Sequence, residues 1–267
     1  MKNSTPVQTL VSLPTGDVTR YDFGDIQLHA YRYGDALSDE CYAIESAEGL
    51  VMLETGAFTA NLAEWKGYLD TLCKPIVGAL LAYHPNGMEV FGPVPVYATR
   101  NALQSWGEGG SIRALTESFI SIFGDGIAAS LPREANLVRF GETVTLAGVD
   151  FIIRQEGDAA YGVEIPAINC VYIHMLGSDC HNILTGEAHI RAFLEELRGF
   201  RYQLVLTSHY APEGRGAVQT KISYLEKTLA LADACTDAAG FTAAMNEAFP
   251  GYSGANYLAM TAGFLFP

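Results

Sequence analysis

Apolar residues in the first third of the chain come in short bursts, the spacing of strands rather than helices. Residues 26–33 alternate apolar and polar, and residues 41–45 form a short run. Gly49-Leu50-Val51-Met52-Leu53-Glu54 reads as a buried strand that stops at Thr55-Gly56. The period then changes. Leu62, Trp65, Leu69 and Leu72 recur every three or four residues, which predicts a helix over 60–73 with one apolar stripe, closed by Lys74-Pro75. Residues 76–81 are nearly all apolar and predict a second buried strand. It breaks at His84-Pro85-Asn86-Gly87, where proline fixes φ and Asn-Gly accepts positive φ. A strand at 94–98, a helix at 99–106, a glycine-rich loop at 107–110 and a helix at 111–123 follow.

Strand spacing returns at 136–139, 143–146 and 149–154, punctuated by Gly141 and Gly148, and again at 170–175. Ile190, Phe193, Leu194 and Leu197 share one face of a helix over 190–197. Residues 202–207 form a buried strand that ends at a second histidine-bearing turn, Ser208-His209-Tyr210-Ala211-Pro212. A helix over 218–234 buries Ile222, Leu225, Leu229 and Ala232, and the tail reads as small helical and irregular pieces. Strand-helix-strand units in both halves, with no fixed-period repeat and no linker, predict one domain of two sheets covered outside by helices.

Composition narrows the function. The chain has 267 residues, enough for a large core, and 49% of them are apolar. Thirty acidic residues against sixteen basic ones give a net charge of −14 with no basic cluster, which argues against nucleic acid and anionic membrane surfaces as partners. No run of about 18 apolar residues predicts a membrane span, and the N-terminus lacks an apolar signal segment. Cys41, Cys73, Cys170, Cys180 and Cys235 are scattered and odd in number, the usage of reduced thiols in a cytoplasmic protein.

Five separated pieces, in order, resemble the metallo-β-lactamase fold. Cys41-Tyr42-Ala43-Ile44 followed by Gly49–Gly56 is similar to that family's opening strands, and the helix with Lys74-Pro75-Ile76 continues the likeness into residues 82–87. Residues 140–151 resemble its mid-chain hairpin, and Leu204-Val205-Leu206-Thr207-Ser208-His209 its last histidine-bearing strand end. The resemblance spans roughly residues 20–230. It implies an α/β protein, an αββα sandwich of two mixed β-sheets packed face to face with helices outside, as a single domain over 1–267.

The family's chemistry rests on His-x-His-x-Asp-His, a Pro-Gly-His, a bridging Asp and a final His, which hold one or two metal ions about a nucleophilic water. Laid on that pattern, Ala82 takes the first histidine position and His84 the second. Asn86 replaces the carboxylate, which an amide cannot match in charge, and Gly87 the last histidine. Asp158 falls at the Pro-Gly-His histidine, and His209 matches the final one. The bridging Asp lands near Met175 or Leu176, or with an insertion at Asp179. Glu54 replaces the Asp of Asp-Thr-Gly, with no role the sequence assigns.

The resemblance therefore implies a site with most of its dinuclear ligands replaced. Its first expectation is no cofactor and a small-molecule ligand in the inherited cleft. The alternative is one zinc, iron or manganese ion on His84, Asp158 and His209, serving a hydrolase of esters, lactones or thioesters. The third reading is a non-catalytic interaction protein. The apolar tail Gly263-Phe264-Leu265-Phe266 then serves a homodimer contact, against the plainer alternative of core packing. Asn86, His174, Asp179 and His181 are the further pocket candidates, read from polar residues clustered near strand ends. Cys180 beside His181 and Ser208 beside His209 suggest no nucleophile pair, because adjacent side chains rarely face each other. No Gly-x-Ser-x-Gly elbow is present.

Overall fold

The computed structural model describes residues 6–156, 160–174 and 176–267. The chain divides into two compact units, Met1–His174 with Leu206–Ala211, and Met175–Val205 with Pro212–Pro267.

The first unit is built on an eight-stranded sheet whose spatial order follows the chain. β1 (Val7–Leu13), β2 (Gly16–Asp22), β3 (Gln27–Tyr33), β4 (Glu40–Glu45) and β5 (Leu50–Leu53) form an antiparallel meander. β6 (Ile76–Leu80), β7 (Val96–Thr99) and β8 (Asn136–Val138) then add in parallel. The change of direction requires crossovers, supplied by helix α1 (Thr59–Thr71) before β6 and by α2 (Arg100–Trp106) and α3 (Ser111–Phe123) before β8. A second sheet runs in this unit in the order β12-β11-β10-β9, with β9 (Thr143–Leu146), β10 (Val149–Glu156), β11 (Ala160–Ile165) and β12 (Cys170–Tyr172); of the later strands, β13 (Leu204–Leu206) ends in this unit at Leu206 and β14 (Glu213–Gly214) belongs to the second. β1, β2 and β11 are strands that the apolar pattern does not announce. β1 is exposed on both faces, and Gly162 interrupts β11, where a side chain would sit 2.8 Å from the Tyr172 carbonyl.

Within this unit the two sheets face each other. Residues 41–44 and 50–53 are completely buried, which the short continuous runs of apolar residues require of strands covered on both faces. Ser46 Oγ donates to the Ala147 carbonyl at 2.7 Å, and the Tyr161 hydroxyl donates to the Tyr97 carbonyl at 2.8 Å, each from one sheet to the other. On the outer side of the first sheet, α1 presents Leu62, Trp65 and Leu69, with the Trp65 ring stacked on Tyr31 at 5.2 Å.

The second unit contains α4 (Glu187–Gly199), α5 (Arg215–Ala234), α6 (Ala238–Ala248) and α7 (Ala255–Leu265), so the tail is two regular helices. The Phe266 ring lies 5.7 Å from Phe241, while Phe264 is half exposed. No helix among the described residues is long and apolar enough to cross a membrane.

Candidate metal centre

Glu54 anchors the turn that carries His84. It follows β5 in the left-handed region, at φ 62°, and its carboxylate is fully buried. It accepts the backbone N–H groups of Ala82 at 3.0 Å, Tyr83 at 3.1 Å and His84 at 2.6 Å, and the Tyr172 hydroxyl at 3.0 Å. Burial pushes its pKa up to about 7 against the lowering pull of those donors. The longer side chain thus does backbone work, clamping three successive amides at the end of β6. Thr55 Oγ1 adds bonds to the His84 and Asn86 carbonyls at 2.6 and 2.9 Å.

The remaining residues of that turn are committed to packing. Asn86 is buried and donates through Nδ2 to the Ala128 carbonyl at 2.8 Å. Gly87 has φ 68°, and a side chain there would begin 2.3 Å from Leu62 Cδ1. Leu62 of α1 therefore fills the space that a side chain at Gly87 would need.

Three histidines converge at the strand ends. The ligand nitrogens of His84, His174 and His209 lie within 4.8 Å of one another, and among the described residues this is the one group of three or more potential ligands that does so. His84 follows β6, His174 follows β12 and His209 follows β13. The sequence pattern pairs His84 and His209 with Asp158, which lies outside the described residues, and places His174 only in the pocket. His174 sits one residue from where the resemblance puts the bridging aspartate. Asp179 and His181 belong to the second unit. There the Asp179 carbonyl accepts Ser253 N–H at 3.1 Å, and His181 Nδ1 lies 3.1 Å from the Tyr224 hydroxyl.

Each ring has its Nδ1 turned toward a protein oxygen. His174 Nδ1 is 3.2 Å from Ser208 Oγ, and Ser208 Oγ is 2.5 Å from the Tyr172 hydroxyl, which donates to Glu54. With Tyr172 donating to an ionised Glu54, Ser208 donates to Tyr172 and accepts from His174. Nδ1 then carries the proton and Nε2 the lone pair. His84 Nδ1 and His209 Nδ1 both face Asp39 Oδ1, at 3.7 and 3.4 Å.

Asp39 escapes the sequence reading because it is one acidic residue in a polar loop. The loop is shaped by Asp35, which accepts Leu37 and Ser38 N–H at 2.9 Å, and the start of β4 is tied down by Glu40 N–H on the Ser208 carbonyl at 2.6 Å. Asp39 is buried, its Oδ2 accepts Ala57 N–H at 3.2 Å, and its Oδ1 has no hydrogen-bond partner. Burial raises its pKa to about 7, partly opposed by His209.

The electrostatics favour neutral imidazoles. Burial lowers His84 and His209 to about 4, and it drives His174 well below its ordinary value with further help from the other two rings. Yet His84 keeps 15% and His209 24% of its side-chain surface open, enough for an ion or water to reach them. Neutral, closely spaced imidazoles beside an unsatisfied buried carboxylate oxygen are a donor set that fits a divalent transition metal.

A scan against protein-family models finds no match, and neither does a search of curated proteins. Solved structures do match. A beta-lactamase domain protein from Burkholderia ambifaria is 14% identical, with TM-score 0.62 over 92% of this chain and 86% of its own. A metallo-beta-lactamase family protein from Thermus thermophilus is 15% identical, with TM-score 0.58 over 89% of this chain and 90% of its own. The chain has the metallo-β-lactamase fold. A sec-alkylsulfatase from Pseudomonas sp. matches at 16% identity and TM-score 0.56 over 92% of this chain, which spans about half (49%) of that enzyme. At these identities the likeness establishes the fold alone.

Proposed function

We propose that this chain binds one divalent transition-metal ion through His84, His174 and His209 and acts as a hydrolase of an ester, lactone or thioester. The observation that carries this reading is the mutual approach of three imidazole ligand nitrogens within 4.8 Å. Such an ion, when bound, supplies Lewis acidity toward a carbonyl group and water at neutral pH. The solved neighbours named as a metallo-beta-lactamase family protein and a sec-alkylsulfatase support a hydrolytic chemistry.

The chain's own residues prepare the ligands. The Glu54–Tyr172–Ser208 relay holds the His174 proton on Nδ1. Asp39 faces the Nδ1 side of the other two rings, the arrangement in which an outer carboxylate orients a ligating histidine. Tyr83 stacks on His174 at 3.9 Å and shields that ring face from water. The packing of Asn86 and Gly87 supports one ion rather than two.

Elemental analysis of protein purified without chelators tests the reading. One zinc, iron or manganese per chain is expected, with metal lost in His84→Ala, His174→Ala and His209→Ala variants that keep the native circular dichroism. Wild-type chain that takes up no metal even after incubation with each ion would overturn it in favour of a metal-free cleft.

A further inference from the structure

β1 is the outermost strand of the eight-stranded sheet, and among the described residues it pairs only with β2. Its outer row of backbone N–H and C=O groups is therefore open to another strand. Natural edge strands are usually guarded by lysine, proline, a bulge or brevity. Val7-Gln8-Thr9-Leu10-Val11-Ser12-Leu13, bracketed by Pro6 and Pro14, carries none of these guards within it: it is seven residues long, uncharged, and in unbroken register with β2 from Val7↔Asp22 to Leu13↔Gly16. Val7 is 70% and Leu10 64% exposed.

The strand is also held firmly in place. Thr15, in its hairpin turn, donates N–H to both Glu64 carboxylate oxygens at 3.1 and 3.0 Å and hydroxyl to Oε1 at 2.9 Å. Asn61 Nδ2 donates to the Thr15 carbonyl at 3.2 Å, so α1 fixes the hairpin tip. A fixed, uncharged edge is a template for β-augmentation.

The side chains indicate which strand fits it. Set antiparallel to itself about Leu10, the strand pairs Val7 with Leu13 and Thr9 with Val11 on one face, and Gln8 with Ser12 and Leu10 with Leu10 on the other. Apolar meets apolar or threonine, and polar meets polar. Such self-complementarity is what a closed two-fold interface requires, in which residue i meets j and j meets i. Charge points the same way. The chain carries −14, so two copies repel over most of their surface, and β1 offers a stretch where no like charges meet. A charged partner strand would find no charge on β1 to answer it.

We propose that β1 pairs antiparallel with β1 of a second copy, joining two eight-stranded sheets into one continuous sheet across a two-fold axis at Leu10. The pairing is independent of the metal centre and differs from the tail contact considered from the sequence.

Sedimentation velocity of the full chain over a dilution series tests it. The wild type is expected at twice the chain mass, and Leu10→Lys, which sets two ammonium groups opposite each other, at the chain mass with unchanged circular dichroism. A second variant guards against misfolding. Leu10→Cys in a Cys73→Ser background, which removes the exposed native thiol, should form a disulfide-linked dimer under mild oxidation, because facing residues across the axis are within bridging distance. A wild type that stays at the chain mass at every concentration would overturn the proposal. So would a dimer that survives both Leu10→Lys and Gln8→Pro, which removes an outward N–H, or Leu10→Cys chains that never link.

Discussion

Replacing Gly87 tests whether α1 leaves room for a side chain at this turn. Two costs arise at once. An L-residue at φ 68° gives up roughly 1–2 kcal/mol for the left-handed backbone. Its Cβ would also sit 2.3 Å from Leu62 Cδ1 and 3.0 Å from Ala128 Cβ. Leu62 is fully buried on α1, so overpacking adds about 1–3 kcal/mol. Gly87→Ala should therefore destabilise by about 2–5 kcal/mol, read as a roughly 5–15 °C fall in Tm. Gly87→His should be worse and should gain no second metal. The clash has a partner, so a double-mutant cycle separates it from backbone strain. Leu62→Ala alone costs about 2–5 kcal/mol for its cavity. Combined with Gly87→Ala it should cost less than the sum, by about 1–3 kcal/mol. Urea denaturation of the four proteins measures each term. A Gly87→Ala chain within about 0.5 kcal/mol of wild type, or strict additivity with Leu62→Ala, would refute this explanation.

Two further outcomes concern the ligands. Asp39→Asn keeps the side-chain shape and an acceptor for Ala57 N–H, but it removes the carboxylate facing His84 and His209. Metal affinity by titration calorimetry should fall about 10–100-fold with little change in fold, and equal affinity would show that Asp39 does not orient them. The histidine shifts set a pH window. Burial holds His84 and His209 at about 4, so these rings should begin to exchange metal for protons only on approaching that value; in the Asp39→Asn variant, which removes the carboxyl that burial raises to about 7, affinity should stay flat from pH 7 to pH 5. The unfolded chain protonates these rings near 6.5. Their contribution to stability is thus complete above that value and is lost as pH falls toward 4. A steep loss of metal between pH 7 and 6 in that variant would show that the rings titrate as free imidazoles.

The sequence carries most of the fold and part of the site. Leu50–Leu53, the α1 stripe and residues 76–81 are legible because burial on both faces, or on one helical face, leaves a periodic record. β1 leaves none, since it has no buried face to record. His84 and His209 are legible because each ends an apolar strand at a turn. His174 is visible as a polar residue near a strand end, but its partnership is not, because it comes from the distance between β6 and β12, which no local pattern encodes. Asp39 is silent for the same reason. Glu54 looks like an unexplained departure until its bonds to three backbone amides give the extra methylene a use.

Tyr42 ties the segment bearing His209 to the first sheet: its hydroxyl donates to the Thr207 carbonyl at 2.6 Å and accepts the Thr207 N–H at 2.9 Å. That segment, Leu206–Ala211, rejoins the first unit only after the chain has run through 31 residues of the second, Met175–Val205. The histidine cluster is therefore the last part of the first unit that synthesis can complete. A nascent chain ending anywhere before residue 209 holds at most two of the three imidazoles, so the cluster is complete only once the excursion has been made and the chain has returned.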